Sequence, residues 1–136
     1  RGHDPKTERM ARLLVDHAMA YGWDEIYGGI YGEGSAFGPA TRLTKEWWEQ
    51  VENLNVLLLM HEKYGREGDG YFKAFQRQWQ FIRECQLDRE FHGLYATVQR
   101  DGTPTDYSKA QIWKAAYHDG RALMNVTERL RRLAEK

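Results

Sequence analysis

The chain has 136 residues, with 20 Lys plus Arg against 20 Asp plus Glu and no formal net charge. That length holds one domain with one modest core, and the balanced charge argues against a nucleic-acid partner, which needs a clustered basic surface. No apolar run is long enough for a membrane span, nothing at the N-terminus resembles a signal peptide, and the single cysteine, Cys85, fits a reducing, cytoplasmic setting without an internal disulfide.

Gly2-His3-Asp4-Pro5 opens the chain. Asp4 suits an N-cap and Pro5 the first helical position, where no N–H is needed. Met10, Leu13, Leu14, His17, Ala18 and Tyr21 recur at three- and four-residue steps, which predicts an amphipathic helix over 5–21 with Gly22 as its stop. His17 lies on that stripe as a core or rim histidine. Residues 23–43 are glycine-rich and irregular and predict a loop with at most a short strand. They lack the Gly-Lys-Ser/Thr ending of a phosphate cradle.

Thr44 is the expected cap of a second helix over 44–64. Trp47, Trp48, Val51, Leu54, Leu57, Leu58 and Met60 make it apolar on more than one side. Glu49, Gln50, Glu52 and Asn53 interrupt that surface and must find partners or ligands, Glu52 either as a satisfied structural carboxylate or as a site residue. A third helix is expected over 71–86, with Tyr71, Phe72, Phe75, Trp79, Ile82 and Cys85 as its core face. Residues 91–98 alternate and run into Asp101-Gly102, which reads as a short hairpin or extended segment. A last helix is expected over 119–134. Five Trp, eight Tyr and five Phe fill a core first. Beside so many polar residues they also suit carbohydrate binding. Helix–loop–helix–loop alternation, with the unusual residues in the loops, suggests an all-α helical toroid with its loops at one mouth.

Four stretches carry a family resemblance. They are Gly2-His3-Asp4-Pro5-Lys6-Thr7, the loop Tyr27-Gly28-Gly29-Ile30-Tyr31, Lys45-Glu46-Trp47-Trp48-Glu49-Gln50-Val51-Glu52, and Trp113-Lys114-Ala115-Ala116-Tyr117-His118-Asp119-Gly120-Arg121. In order and spacing they resemble elements of the N-acylglucosamine 2-epimerase superfamily, which includes cellobiose 2-epimerases and aldose–ketose isomerases. The resemblance implies an (α/α)6 toroid, of which residues 1–136 would form one partial domain, about the last third. Two positions depart from the pattern: Arg9 stands where a Trp is common, and Ala115-Ala116 replaces a Gly-Pro. A partial ring leaves inward helix faces without neighbours. Self-association, or completion by a missing N-terminal part, is therefore expected.

The resemblance further implies C2 epimerisation or aldose–ketose interconversion of a mono- or disaccharide through an enediolate. His3 and His118 would exchange the C2 proton from opposite faces. Histidine suits this work because its ordinary pKa lies near working pH. No cofactor and no metal are expected, since the sugar carbonyl acidifies its own α-proton. Trp48 and Trp113 would stack on the sugar, Glu52 would orient His118 or bind a hydroxyl, and Arg121 would hold the loop or the carbonyl oxygen. Two other classes stay open on the residues alone. One is glycoside hydrolysis, with carboxylates drawn from Glu25, Glu33 and Glu52. The other is a non-catalytic carbohydrate-binding fragment.

Overall fold

Helix α2, Trp47–Tyr64, is the axis of the core. Leu54, Leu57 and Leu58 are fully buried on it, each stabilising the fold by about 1.5–3 kcal/mol. The computed structural model describes residues 4–135. Helix α1 spans Pro5–Tyr21, α3 spans Gly70–Phe81 and continues as a π-helical turn over Ile82–Gln86, and α4 spans Ala116–Ala134. Helices α3 and α4 pack on separate flanks of α2, which is why its apolar residues occupy more than one side. Asp4 caps α1 as expected, its carboxylate accepting from the Lys6 N–H at 3.0 Å.

The all-α expectation needs correction. Strands β1 (Glu33–Gly34) and β2 (Ala40–Arg42) pair antiparallel, and β3 (Lys45–Glu46), β4 (Thr97–Val98) and β5 (Pro104–Asp106) form a second small sheet in that order. Lys45 faces Val98, and Thr97 faces Asp106. The β4–β5 hairpin turns through Asp101-Gly102, where Gly102 has φ 95°. Because β3 runs straight into α2, the helix starts after Glu46 and Thr44 caps nothing. The sheet fixes that entry: the Trp47 N–H donates to the Ala96 carbonyl at 3.0 Å.

The chain is built from two helix–turn–helix units, α1 with α2 and α3 with α4. Their turns repeat the same bonds at corresponding residues. Asp24 Oδ1 accepts from the N–H groups of Ile26 and Tyr27; Asp88 Oδ1 accepts from those of Glu90 and Phe91. Lys45 Nζ donates to Asp24 Oδ2 at 3.0 Å, and Lys109 Nζ to Asp88 Oδ2 at 2.5 Å. Each turn then passes through two left-handed residues, Gly28 and Gly29 in the first, His92 and Gly93 in the second. It closes on an isolated antiparallel β-bridge, Trp23 with Ile30 and Leu87 with Leu94.

The first turn is the more deeply set. Asp24 and Lys45 are both fully buried, and Lys45 Nζ also donates to the carbonyls of Gly28 and Arg100. Burial alone would raise the Asp24 pKa, but bonds from Arg100 and Lys45 hold it well below the usual carboxylate range. The Lys109 bond likewise lowers Asp88 to about 2.

The core faces of α1 and α3 differ from expectation. On α3 the buried residues are Phe75, Gln78 and Phe81, with Ile82 following, whereas Trp79 is 40% exposed. Gln78 is buried because its amide is satisfied: it donates to Gln50 Oε1 at 2.7 Å and accepts from Asn53 at 3.0 Å. Helix α1 buries no residue, leaving Leu13 and Leu14 over half exposed and His17 exposed. It runs antiparallel to α2. Glu8, near its start, meets Lys63 and Tyr64 at the end of α2. Val15 and Ala18, in its second half, share a cleft with Trp48 and Glu52.

Candidate active site

The site residues gather where the N-terminal ends of α2 and α4 meet. Trp48 and Glu52 stand one turn apart on α2, so both face the same way. On α4 the helix begins at Ala116, three residues earlier than expected, which brings Tyr117, His118 and Arg121 into its first two turns. Lys114 anchors the approach to α4. It is buried, lies over the Trp47 ring at 5.2 Å and donates to the Lys109 carbonyl.

His118 Nδ1 lies 2.8 Å from Glu52 Oε1. Arg121 donates to the same oxygen and to the Tyr117 hydroxyl. The Trp48 ring lies 5.5 Å from the imidazole, and the Tyr117 ring meets it edge-on at 5.0 Å. Burial pushes the Glu52 pKa up, but the bonds from His118 and Arg121 outweigh it and leave it lowered. Glu52 is therefore an ionised acceptor, so Nδ1 must carry the hydrogen. In the neutral imidazole Nε2 then holds the free lone pair, the form a general base needs.

The structure thus brings together four of the six expected residues: His118, Glu52, Trp48 and Arg121. Trp113 is not in the cluster; it stands 79% exposed on the turn before α4. His3 lies outside the described residues. Asp4, next to it in sequence, is at the end of α1 that meets the far end of α2, about 25 Å of helix from Tyr21. Tyr117 joins the site as more than an aromatic surface, because its hydroxyl is fixed by Arg121. The sequence signal for it was the spacing to Arg121, one helical turn on.

Glu49 was not singled out by the sequence. Its carboxyl lines a cleft of about 330 Å³ between α1 and α2 that also holds Trp48 and Glu52. Glu25 and Glu33, the other carboxylates considered for hydrolysis, are held elsewhere. Glu25 pairs with Arg77 on α3, and Glu33 with Arg42 on β2. Among the described residues no three His, Cys, Asp or Glu side chains gather as metal ligands, and no helix is long and apolar enough to cross a membrane.

Residues 1–122 match the family model described as N-acylglucosamine 2-epimerase (GlcNAc 2-epimerase). The chain belongs to that family. It is 32% identical over 88 residues to a cellobiose 2-epimerase of Ruminococcus albus, covering 63% of this chain and 22% of that protein. It is 28% identical over 85 residues to the cellobiose 2-epimerase of Dictyoglomus turgidum, covering 62% of this chain and 21% of that protein. The solved structure of a cellobiose 2-epimerase from Bacillus thermoamylovorans superposes with a TM-score of 0.78 at 26% identity, over 93% of this chain and 31% of that one. A D-mannose isomerase superposes with a TM-score of 0.77 at 23% identity, over 86% of this chain and 29% of that one. The chain therefore spans about a fifth of the curated relatives and under a third of the solved structures.

Proposed function

We propose that this chain supplies the His118–Glu52 portion of a sugar epimerase or isomerase site. The carrying observation is the 2.8 Å contact between His118 Nδ1 and Glu52 in a chain of this family. The substrate class is a mono- or disaccharide in its open-chain carbonyl form. His118 Nε2 removes the proton from C2, and the electron pair moves into an enediolate. Glu52 stabilises the imidazolium formed and keeps the ring aimed. Return of a proton to C2 on the other face gives the epimer, and protonation at C1 gives the ketose. Trp48 offers a flat face to the sugar, and Arg121 with the Tyr117 hydroxyl offers donors to the oxygen that gains charge. Residues 1–136 form part of an (α/α)6 toroid in this reading.

The test is turnover of glucose, mannose or cellobiose in deuterium oxide. Label is expected at C2 of an epimer product or at C1 of a ketose product. His118→Ala should lower kcat by about 10²–10⁴-fold, with binding affected far less because Trp48 and the hydroxyl contacts remain. Wild-type turnover in that variant, with label entering C2 of the epimer or C1 of the ketose, would remove His118 from the chemistry. Asp4 stands at the end of α1 remote from Trp48 and Glu52, so His3→Ala is expected to retain turnover, and a loss as large as in His118→Ala would return His3 to the opposite face. If His3→Ala turns over normally, the opposite-face group is another residue.

A further inference from the structure

Lys114 is a buried charge that the proposed chemistry leaves unused. The internal repeat shows what a lysine at this place otherwise does. Lys45 stands two residues before α2, and Lys114 two residues before α4. Lys45 Nζ donates to Asp24 Oδ2 and to the carbonyls of Gly28 and Arg100. In the second unit Lys109 takes over the turn aspartate, Asp88, and Lys114 is released from that task. Lys114 is 4% exposed, lies over the Trp47 ring and donates to one oxygen, the Lys109 carbonyl at 3.1 Å. An ammonium has three donors, and burying one with no carboxylate bonded to it is costly. Asp119 is the charged residue that acts on it most strongly; Lys109 and Asp106 act more weakly and in opposite senses.

Asp119 follows His118 in the first turn of α4. It is half-buried, and its Oδ1 is buried without a hydrogen-bond partner among the described residues. The neighbouring Trp47 indole N–H is likewise buried and makes no hydrogen bond of normal geometry. Burial pushes the Asp119 carboxyl up, and Lys114, His118 and the Trp47 indole oppose it in that order. The cluster lies between α2, α4 and the loop before α4, within this chain. Glu52 does not serve His118 alone: its Oε1 also receives Arg121, a permanent cation, so its charge is compensated before the ring takes a proton.

We infer that Asp119 is a positioning residue for His118: Lys114 holds it as a carboxylate, and it balances the charge that the imidazole gains on taking a proton. The assignment rests on His118 being the base of the proposed reaction. When Nε2 takes the C2 proton, the imidazolium has Glu52 at Nδ1 and Asp119 next to it along the helix. The other groups around the ring, Tyr117 and Arg121 on α4 and Trp48 on α2, bring no negative charge.

The test is titration of the His118 ring by nuclear magnetic resonance, without sugar, with the Nδ1–H signal reporting the Glu52 contact. Asp119→Asn should lower the pH at which the ring titrates by about 1, the effect of losing one close opposite charge, and keep the Nδ1–H signal. Lys114→Met should lower it as far, because a carboxyl left to burial takes up a proton. The double variant should fall no further than either single one. If Lys114→Met does not fold, Asp119→Asn alone decides. An Asp119→Asn ring that titrates as in wild type, loss of its Nδ1–H signal, or falls that add in the double variant would each overturn the assignment. In turnover, the acid limb of kcat/KM should move with the ring. A limb that stays in place while the ring shifts would uphold the link from Asp119 to His118 and remove His118 as the base.

Discussion

Glu52 is an ordinary-looking residue on an apolar helix, and what sets it apart is two hydrogen-bond donors arriving from another helix. His118 and Arg121 both end on its Oε1. The spacing Trp48 to Glu52 and His118 to Arg121 is visible in the sequence, and one helical turn is enough to predict that each pair shares a face. That the two faces meet is a tertiary fact, and the family resemblance anticipated it. Trp113 shows the limit of such reasoning: it belongs to the same short motif as His118 but lies before the helix starts, so the turn carries it outward. Glu49 showed in the sequence only as one of four polar residues on an apolar helix, because its character comes from burial and an Oε2 with no hydrogen-bond partner. This has a pH consequence. A carboxyl whose folded pKa, about 8, lies above its usual 4.5 binds more protons folded than unfolded between those values. The single chain should therefore lose stability as pH rises from about 4.5 to about 8, and Glu49→Gln should flatten that loss. Thermal melts of the two proteins across this range check it; parallel curves would show that Glu49 is already compensated.

At the scale of elements, the helices were legible because periodicity and capping act locally. The third helix followed its expected span, with the last turn widened to a π-helix. The strands were less legible, because each is two or three residues long and depends on partners far along the chain. Lys45 shows why. It reads as a charged residue before a helix, yet it is fully buried because Asp24 and the carbonyls of Gly28 and Arg100 surround its ammonium. Removing one partner of a buried pair leaves the other without compensation. Lys45→Met should cost about 3–5 kcal/mol, somewhat less if Arg100 takes over Asp24. Chemical denaturation would measure it. Asp24 adds an acid-side dependence: its pKa is lowered by folding, so its contribution is present above the usual carboxylate range and is lost as pH falls below it. An unchanged midpoint in Lys45→Met would mean that the turn is held by backbone bonds alone.

At the scale of the molecule, the order of stability follows from what each helix leans on. Helix α2 is packed on several flanks and should open only with global unfolding, whereas α1 rests on Arg12 with Glu67, Glu8 with Lys63 and little apolar burial. Surface pairs of this kind contribute about 0–1 kcal/mol each. In dilute solution the amides of α1 should therefore exchange with solvent well before those of α2. Hydrogen exchange read helix by helix measures that gap: α1 should reach full exchange first and α2 last. Leu14→Asp should leave that order and the stability of the chain unchanged within about 0.5 kcal/mol, because Leu14 is 64% exposed. Protection of α1 equal to that of α2 would mean that α1 is held by more than these surface pairs.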